Sequence, residues 1–403
     1  MKKYIPLLIV IILGVGYVAL RYHKLSEHYM SVLKLAKQSI EAGDDTAALM
    51  YIEYVEDSGF IRDEVQKLRT ELDRKHEELQ RISSEIEPYV EDGLYEDALA
   101  LIDKRDNIDD SLRRNLRAIV YRQWGWIVFS ANPEGSFDLY AARPDASLVF
   151  RLTNSVLEEM GHDVSADGKK IAYARLESKE SMKRVIAYLD LETGHEQILP
   201  FTGHTNLDPA FSPDSGTLAF ATSVASFSYI NLYDFAKRET VRVARGSAAN
   251  QPDFSPDGKR IIFEGIPVDS NVTRLQIVSV KTDGTDLKLL TDVNRGHARD
   301  PSYSYEEGRL VFRYNDDIYV LREGEEPTLV SDPAITERQP CFSQDGRYLA
   351  YIADVNGRAI IVRHDLKTGK RFFLPSMGRA CQWPVWVREL SLPPGAEEVQ
   401  PAD

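Results

Sequence analysis

Cysteine is nearly absent from this sequence: its 403 residues include only Cys341 and Cys381, and no Cys-x-x-Cys pair occurs. That count excludes a disulfide-rich scaffold and a structural zinc site built on thiolates. The two cysteines could pair in an oxidising compartment. Two small buried side chains is the simpler interpretation, because unpaired cysteine is commonly buried.

Basic residues are fewer than acidic residues. There are 49 lysines and arginines against 63 aspartates and glutamates, which gives a formal net charge of −14. Such a surface repels phosphates, and no local basic patch offsets it, so we expect no nucleic-acid partner. A Gly-x-Ser-x-Gly elbow is missing as well, which argues against a serine hydrolase. The sequence predicts no cofactor.

Only the N-terminus carries a long apolar run. Two lysines precede an uncharged stretch over residues 4–20, and Arg21 closes it. Seventeen residues is the short end of what spans a bilayer as a helix. We therefore expect residues 1–21 to be a signal anchor with one transmembrane helix, in preference to a cleaved signal peptide. The bulk of the chain would then lie on the extracytoplasmic, periplasmic side.

Residues 22–121 have helical apolar spacing and are predicted to form an α-helical stalk. The phrases at 41–48 and 91–98 are alike, each with a glycine turn followed by acidic residues and alanine. Each resembles the turn and second-helix start of a tetratricopeptide-like hairpin, although the full 34-residue pattern is missing. Such hairpins can bind peptides. A spacer that packs against itself is the alternative.

One phrase recurs through the rest of the chain about every 45 residues. Its shared serine falls at five positions, Ser165, Ser212, Ser255, Ser304 and Ser343. A short strand precedes the serine, and in the best copies a Ser-Pro-Asp-Gly turn follows, in which proline fixes φ and glycine accepts a positive φ. Three further strands complete each unit. This recurrence predicts the blades of a β-propeller over residues 122–390.

The first repeat lacks its first strand, and a spare copy stands at the other end. Residues 126–130 supply a second strand with no first strand before them, and residues 384–387 match a first strand with no blade after them. We therefore predict a mainly β fold, a six-bladed propeller closed by the C-terminal strand. Residues 391–403 carry no pattern and are expected to be disordered.

All four tryptophans lie at this predicted seam: Trp124, Trp126, Trp383 and Trp386. Contacts between large aromatic side chains would stabilise the pairing of the C-terminal strand with the first repeat, because these two segments are far apart in the chain. An aromatic platform for a ligand is the alternative interpretation.

The phrase Phe-Ser-Pro-Asp-Gly-Lys-x-Ile-Ala-Phe resembles the repeat of the TolB-type propellers, also called PD40 or WD40-like. Its best copies begin at Pro209, Pro252 and Pro340, and the resemblance covers residues 122–390. It is specific for the fold and less so for the function, since the family includes periplasmic scaffolds and the same propeller occurs in metal-dependent lyases. It therefore implies a propeller that serves either as a binding platform or as an enzyme.

Histidines at the start of first strands form one candidate site. His162, His204 and His297 could approach one another in the channel of the propeller and hold a divalent metal, as in the lyase relatives. Hydrogen bonding to neighbouring loops is the alternative.

A second candidate site is a polar, largely acidic collar around one mouth of the channel. Its predicted members are His162, Asp208, Gln251, Asp300, Gln339 and Gln382. Such a collar suits a peptide or a basic partner, whereas aspartate before proline can also simply cap a turn. We therefore expect a membrane-anchored, envelope-facing, non-catalytic scaffold for another protein. A metal-dependent carbohydrate lyase or hydrolase is the alternative.

Overall fold

The structure is a computed structural model that describes residues 5–56, 61–201, 204–268, 270–291, 296–305, 308–322, 324–332, 334–378 and 380–400, with only the backbone described over 5–22. The chain divides into two compact units, Met1–Gln123 and Trp124–Asp403.

The first unit is helical. Its helices are α1 (Ile5–Ala42), α2 (Asp45–Glu56), α3 (Arg62–Glu91), α4 (Tyr95–Asp103) and α5 (Asp110–Trp124), the last of which ends one residue inside the second unit. Gly43 follows α1 with a φ of 80°, a conformation that favours glycine. The Asp44 carboxylate then caps α2 by accepting the Ala47 N–H at 2.9 Å. Ile40 and Ile52 pack in one core cluster with apolar residues of α3.

The predicted transmembrane helix is not found. Across the residues that the structure describes, no helix has the length and apolar character needed to cross a membrane. The stretch at 4–20 on which that prediction rested begins outside the described residues, and the side chains over 5–22 are not described. Residues 5–20 belong to α1, which continues without a break to Ala42.

The second unit consists mainly of antiparallel strands. In chain order they are β1 (Trp126–Ala131), β2 (Asp138–Ala142), β3 (Val149–Arg151), β4 (Glu159–Val164), β5 (Lys170–Leu176), β6 (Arg184–Asp190), β7 (Glu196–Ile198), β8 (Thr205–Phe211), β9 (Thr217–Val224), β10 (Phe227–Asp234), β11 (Glu239–Phe254) and β12 (Arg260–Pro267). They continue with β13 (Gln276–Lys281), β14 (Lys288–Leu289), β15 (Ala298–Tyr303), β16 (Arg309–Tyr314), β17 (Asp317–Arg322), β18 (Thr328–Leu329), β19 (Glu337–Phe342), β20 (Tyr348–Val355), β21 (Arg358–Asp365), β22 (Arg371–Phe373), β23 (Cys381–Val387) and β24 (Glu397–Glu398).

The prediction of a six-bladed propeller is wrong. The described strands form five sheets: β4–β7, β15–β18 and β19–β22 have four strands each, β8–β14 form seven, and β1–β3 are joined by β23 and β24. The physical reason lies in β11, which is 16 residues long. It pairs with β10 from Glu239 to Gly246 and with β12 from Gly246 to Phe254, so two repeat units share one continuous sheet.

Adjacent sheets pack through apolar side chains. Phe220 and Tyr233 of the seven-stranded sheet lie in one buried cluster with Ala174 and Ile186 of the β4–β7 sheet and with Leu199, which follows β7. The central residues of the second strand of each repeat are buried, as in β20, because both faces of the strand are covered by neighbouring sheets. The result is a propeller whose sheets surround a central cavity.

β23 pairs with β1 and so joins the two ends of the propeller. Ile127 lies opposite Trp386, and Trp126 lies opposite Val387. The Trp386 Nε1–H donates to the Trp124 carbonyl at 2.7 Å, and the Trp386 ring stacks on Tyr348 with 5.8 Å between centroids.

The C-terminal tail, for which the sequence predicted disorder over 391–403, contains the short strand β24 in its described part. β24 pairs with β3, with Glu397 opposite Arg151. The Val399 N–H also donates to the Val149 carbonyl at 2.9 Å. Residues 401–403 lie outside the described residues.

The repeated serine organises the turn between the first two strands of a repeat. In four repeats its hydroxyl donates to the aspartate two residues later and accepts the N–H five residues later. For Ser255 these partners are Asp257 at 2.7 Å and Arg260 at 2.9 Å. Ser304 differs, because its buried hydroxyl has no hydrogen-bond partner among the described residues.

Replacing Ser255 with alanine is therefore expected to lower the free energy of unfolding by about 1–2 kcal/mol, since a mostly buried Arg260 N–H loses its acceptor. Ser304→Ala is the matched control and is expected to change stability by less than about 0.5 kcal/mol. Urea unfolding followed by tryptophan fluorescence measures both. Equal losses in the two variants would contradict the assigned role of the Ser255 hydroxyl.

Candidate functional site

The first strands of the repeats surround a central cavity of about 150 Å³. The strands that line it are β4, β8, β11, β15, β19 and β23. Each contains a β-bulge, where the pairing with its neighbour shifts register. In every bulge one residue lies in the left-handed region, with φ between 48° and 56°. A positive φ is uncommon for residues other than glycine, and its recurrence places one backbone N–H per strand at the cavity wall.

We call these six left-handed residues the bulge ring; they are Gly161, Asp208, Gln251, Asp300, Gln339 and Trp383. Four of them are residues that the sequence predicted for the collar. The other two differ by one position from the prediction: Gly161 stands where His162 was expected, and Trp383 where Gln382 was expected. His162 still lines the cavity, whereas Gln382 is not among the described lining residues.

Side chains of the bulge ring are engaged in hydrogen bonds along the ring. Asp208 Oδ2 accepts the Gln251 N–H at 3.2 Å, and Gln251 Oε1 accepts the Asp300 N–H at 3.1 Å. Asp300 Oδ2 accepts the Gln339 N–H at 3.1 Å, and Gln339 Oε1 accepts the Trp383 N–H at 3.0 Å. Side-chain oxygens thereby tie β8 to β11, β11 to β15, β15 to β19 and β19 to β23. The ring side chains consequently hold the propeller together as well as lining its cavity.

Two further aspartates that sequence reasoning missed also line the cavity. Asp163 accepts the Phe211 N–H and Asp253 accepts the Tyr303 N–H, both at 2.7 Å. Each lies two residues after its bulge-ring residue, and this spacing could have marked them as candidates. The sequence alone does not show whether an aspartate at that position faces the cavity or the solvent.

The cavity is lined by aspartates, and burial raises the pKa of three of their carboxyl groups above the ordinary value for aspartate. Burial, with a smaller contribution from the charge of Asp253, raises the pKa of Asp163 to about 7. Burial also raises the pKa of Asp253 and of Asp208 to about 6. No lysine or arginine is present among the described residues that line the cavity. Asp300 is paired with Arg313 at 2.8 Å, so its charge is already compensated.

The structure does not bring the three candidate histidines together. His162 is buried at the cavity wall with Nδ1 3.2 Å from the Ser130 hydroxyl, and burial lowers the pKa of His162 to about 4. His204 is exposed, and Nδ1 of His297 accepts the Leu275 N–H at 3.1 Å. Within the described part of the chain, no group of three or more His, Cys, Asp or Glu side chains is arranged to hold a metal ion.

The tryptophans occupy two different settings. Trp124, Trp126 and Trp386 are buried beside the β1–β23 pair, whereas Trp383 lines the cavity. The cysteines are free and buried, and burial raises the pKa of the Cys341 thiol to about 12, so it stays protonated and unreactive.

Comparison with known proteins relates the second unit to one family. A family model described as TolB beta propeller domain (PD40) matches residues 126–388. The curated Protein TolB homolog of Chlorobium chlorochromatii is 30% identical over 138 residues, which make up 34% of this chain and 30% of the relative. The similarity thus spans less than a third of that relative's length.

A solved structure agrees on the fold. The crystal structure of TolB from Acinetobacter baumannii has a TM-score of 0.58 at 21% identity, covering 70% of this chain and 74% of that chain. Oligogalacturonate lyase from Vibrio parahaemolyticus gives a TM-score of only 0.45 at 13% identity, covering 62% and 74%. That value is too low to bear on activity.

Proposed function

Because the chain belongs to the TolB β-propeller family, we propose that it is a non-catalytic scaffold whose acidic cavity holds a basic segment of a protein partner. The family supports a protein-interaction module, and the electrostatics of the cavity support a basic segment. The observation that carries the proposal is the pair Asp163 and Asp253 in a cavity whose described lining offers no lysine or arginine.

The cavity has the size and chemistry for one inserted side chain. An engineered protein cavity of about 150 Å³ takes up a molecule as large as benzene. An ammonium or guanidinium group entering this cavity would meet the carboxylates of Asp163 and Asp253, each of which accepts a backbone N–H at Oδ2. A carboxylate has two oxygens with about four acceptor sites, so it can accept from a cation as well. Charge-assisted hydrogen bonds of this kind are roughly twice as strong as neutral ones. Loops at the cavity mouth would then contact the flanking residues of the partner.

The proposal extends to an extracytoplasmic location, which the resemblance to periplasmic scaffolds supports. It does not extend to a lyase. Metal-dependent cleavage would need a cluster of ligands, and His162, His204 and His297 have separate surroundings.

Peptides selected from a random heptapeptide library on the immobilised full chain are expected to be enriched in lysine and arginine. The affinity of the best peptide should fall at least tenfold in the double variant Asp163→Asn/Asp253→Asn. Asparagine keeps an oxygen to accept the Phe211 and Tyr303 N–H groups, so the fold is retained while the charge is lost. Isothermal titration calorimetry measures the affinity.

The matched control is Glu397→Gln/Glu398→Gln, which removes the same charge from exposed positions of β24. This variant should bind the peptide as the parent does. Enrichment of acidic or purely apolar peptides, or equal losses in the two double variants, would overturn the proposed function.

A further inference from the structure

The bulge ring is interrupted at two consecutive junctions. Going around the cavity, the side chain of each member accepts the N–H of the next member, from Asp208 through to Trp383. The indole of Trp383 offers no acceptor for the N–H of Gly161, and Gly161 has no side chain to accept the N–H of Asp208. Both residues lie in bulges that the strand registers skip, β4 with β5 at Gly161 and β8 with β9 at Asp208, and no side-chain acceptor for either N–H is found among the described residues. The ring therefore has a gap spanning β23, β4 and β8.

Two buried side-chain nitrogens lie at the same gap. Nε2 of His162 and Nε1 of Trp383 are both buried and have no hydrogen-bond partner among the described residues. Both side chains line the cavity, and His162 is only 4% exposed. When the Ser130 hydroxyl donates to Nδ1 of His162, the ring proton resides on Nε2, which makes this nitrogen a donor. Buried polar groups are nearly always paired in native proteins, so unpaired donors on residues that line one cavity point to a ligand.

We propose that the gap formed by Gly161, Asp208 and Trp383 is a subsite for a neutral carbonyl oxygen, specifically the side-chain amide of an asparagine or glutamine in a bound peptide. The ring itself provides the precedent. Gln251 and Gln339 place an amide oxygen 3.1 and 3.0 Å from the backbone N–H of the following member. A ligand amide in the gap would repeat that contact at the junctions where the chain has no acceptor of its own.

Charge favours an amide over a carboxylate as the occupant. The carboxyl groups of Asp163 and Asp208 lie on the same cavity wall, and a second anion there would be repelled in a site with little water to screen it. An amide carries no net charge, and its NH₂ group can donate to one of these carboxylates. The inference rests on the proposed function only in placing a peptide side chain in the cavity. The cationic group of the proposed function and the amide group inferred here are alternative occupants of that cavity.

The direct test is an NMR titration. The full chain is labelled with ¹⁵N-tryptophan, and N-acetylglutamine methylamide is added as the probe. The Trp383 indole signal is assigned by its loss in Trp383→Phe, and a saturable shift of that signal is expected. N-acetylglutamate methylamide tests the charge, and N-acetylnorvaline methylamide, which lacks the side-chain carbonyl, tests the hydrogen bonds. Both should bind at least tenfold more weakly.

The variant Gly161→Gln supplies the missing acceptor from the protein itself. Gln251 and Gln339 adopt φ values of 51° and 53° in equivalent bulges, so glutamine is compatible with the φ of 56° at Gly161. The new Cβ would lie 3.1 Å from Oδ1 of Asp208, a side-chain atom that can shift. We expect a melting temperature at least equal to the parent and at least tenfold weaker binding of the glutamine probe. Should Gly161→Gln fail to fold, Gly161→Asn provides the same test with a shorter side chain.

Glu397→Gln, at an exposed position of β24 that does not line the cavity, is the control and should bind the glutamine probe as the parent does. The subsite is refuted if the glutamine probe does not bind, if the three probes bind equally, or if a folded Gly161→Gln variant binds as tightly as the parent. Loss of basic-peptide selection alone would refute the proposed function while leaving the glutamine result to decide the subsite.

Discussion

Replacing Trp386 with alanine is expected to lower the free energy of unfolding of the propeller by about 3–5 kcal/mol, the range for truncating a large buried aromatic side chain. Trp386 is 3% exposed on β23, the strand that joins the ends of the propeller. Its loss removes the stacking on Tyr348 and the hydrogen bond to the Trp124 carbonyl. The carbonyl would then be left without its indole donor.

Urea unfolding followed by tryptophan fluorescence measures this effect, because all four tryptophans lie in the second unit. Met182→Ala is the control, since Met182 is 91% exposed and its truncation should change little. Deleting residues 381–403 should have the larger effect of unfolding every sheet in one transition, because β1 keeps β2 but loses β23, the strand that closes the propeller. A truncated chain that melts like the parent would show that the β1–β23 pairing does not hold the propeller closed.

The stability of the propeller is expected to increase by about 2–4 kcal/mol when the pH falls from 8 to 6. The cause is a set of buried carboxyl groups that the folded state keeps protonated. Burial, together with the charges of Asp138 and Glu196, raises the pKa of Glu159 to about 8, and burial raises the pKa of Glu264 and Asp163 to about 7.

The sign follows from proton binding. Between the ordinary pKa of a carboxyl and its raised value in the folded chain, the folded state holds a proton that the unfolded state has released. Lowering the pH through this window therefore favours folding, and the penalty is greatest above pH 8, where Glu159 is ionised in both states. Below about pH 6.5 the gain is offset, because burial lowers the pKa of His162 and His364 to about 4 and their protonation favours unfolding.

Glu159→Gln tests the origin of this pH dependence. The amide oxygen can still accept the Thr153 hydroxyl, while the ionisable group is removed. Stability at pH 8 should increase by about 1–3 kcal/mol, and the difference between pH 8 and pH 6 should shrink correspondingly. Glu397→Gln, at an exposed position of β24, is the control and should leave the pH profile unchanged. A flat profile in the parent chain would contradict the raised carboxyl pKa values.

Strand order within each repeat could be predicted from sequence because turn chemistry is local. The Ser-Pro-Asp-Gly phrase specifies a tight turn whatever surrounds it, and the pairings that follow depend on alternating apolar residues. The number of sheets could not be predicted in this way. The first half of β11 pairs with β10 and the second half pairs with β12, and this joins two repeats into one sheet. No residue from Glu239 to Phe254 signals in the sequence that the strand continues from one repeat into the next.

The candidate site was predictable in part for the same reason. Asp208, Gln251, Asp300 and Gln339 share a position immediately before proline, so the repeat alone aligns them. Gly161 precedes a histidine instead of a proline, so the repeat was misaligned by one residue and His162 was predicted in place of Gly161. The charge state of Asp163 depends on burial among strands from several repeats, which no local pattern records.

The pairing of β24 with β3 and of β23 with β1 places both ends of the propeller in a single sheet. Trp126 begins β1 and lies opposite Val387, which ends β23. A mechanical load applied across the two ends would therefore peel β24 away and then unzip β1 from β23 one bond at a time. The remaining sheets would carry no tension until that sheet had opened. The force needed to open the propeller by pulling its two ends apart would therefore be low.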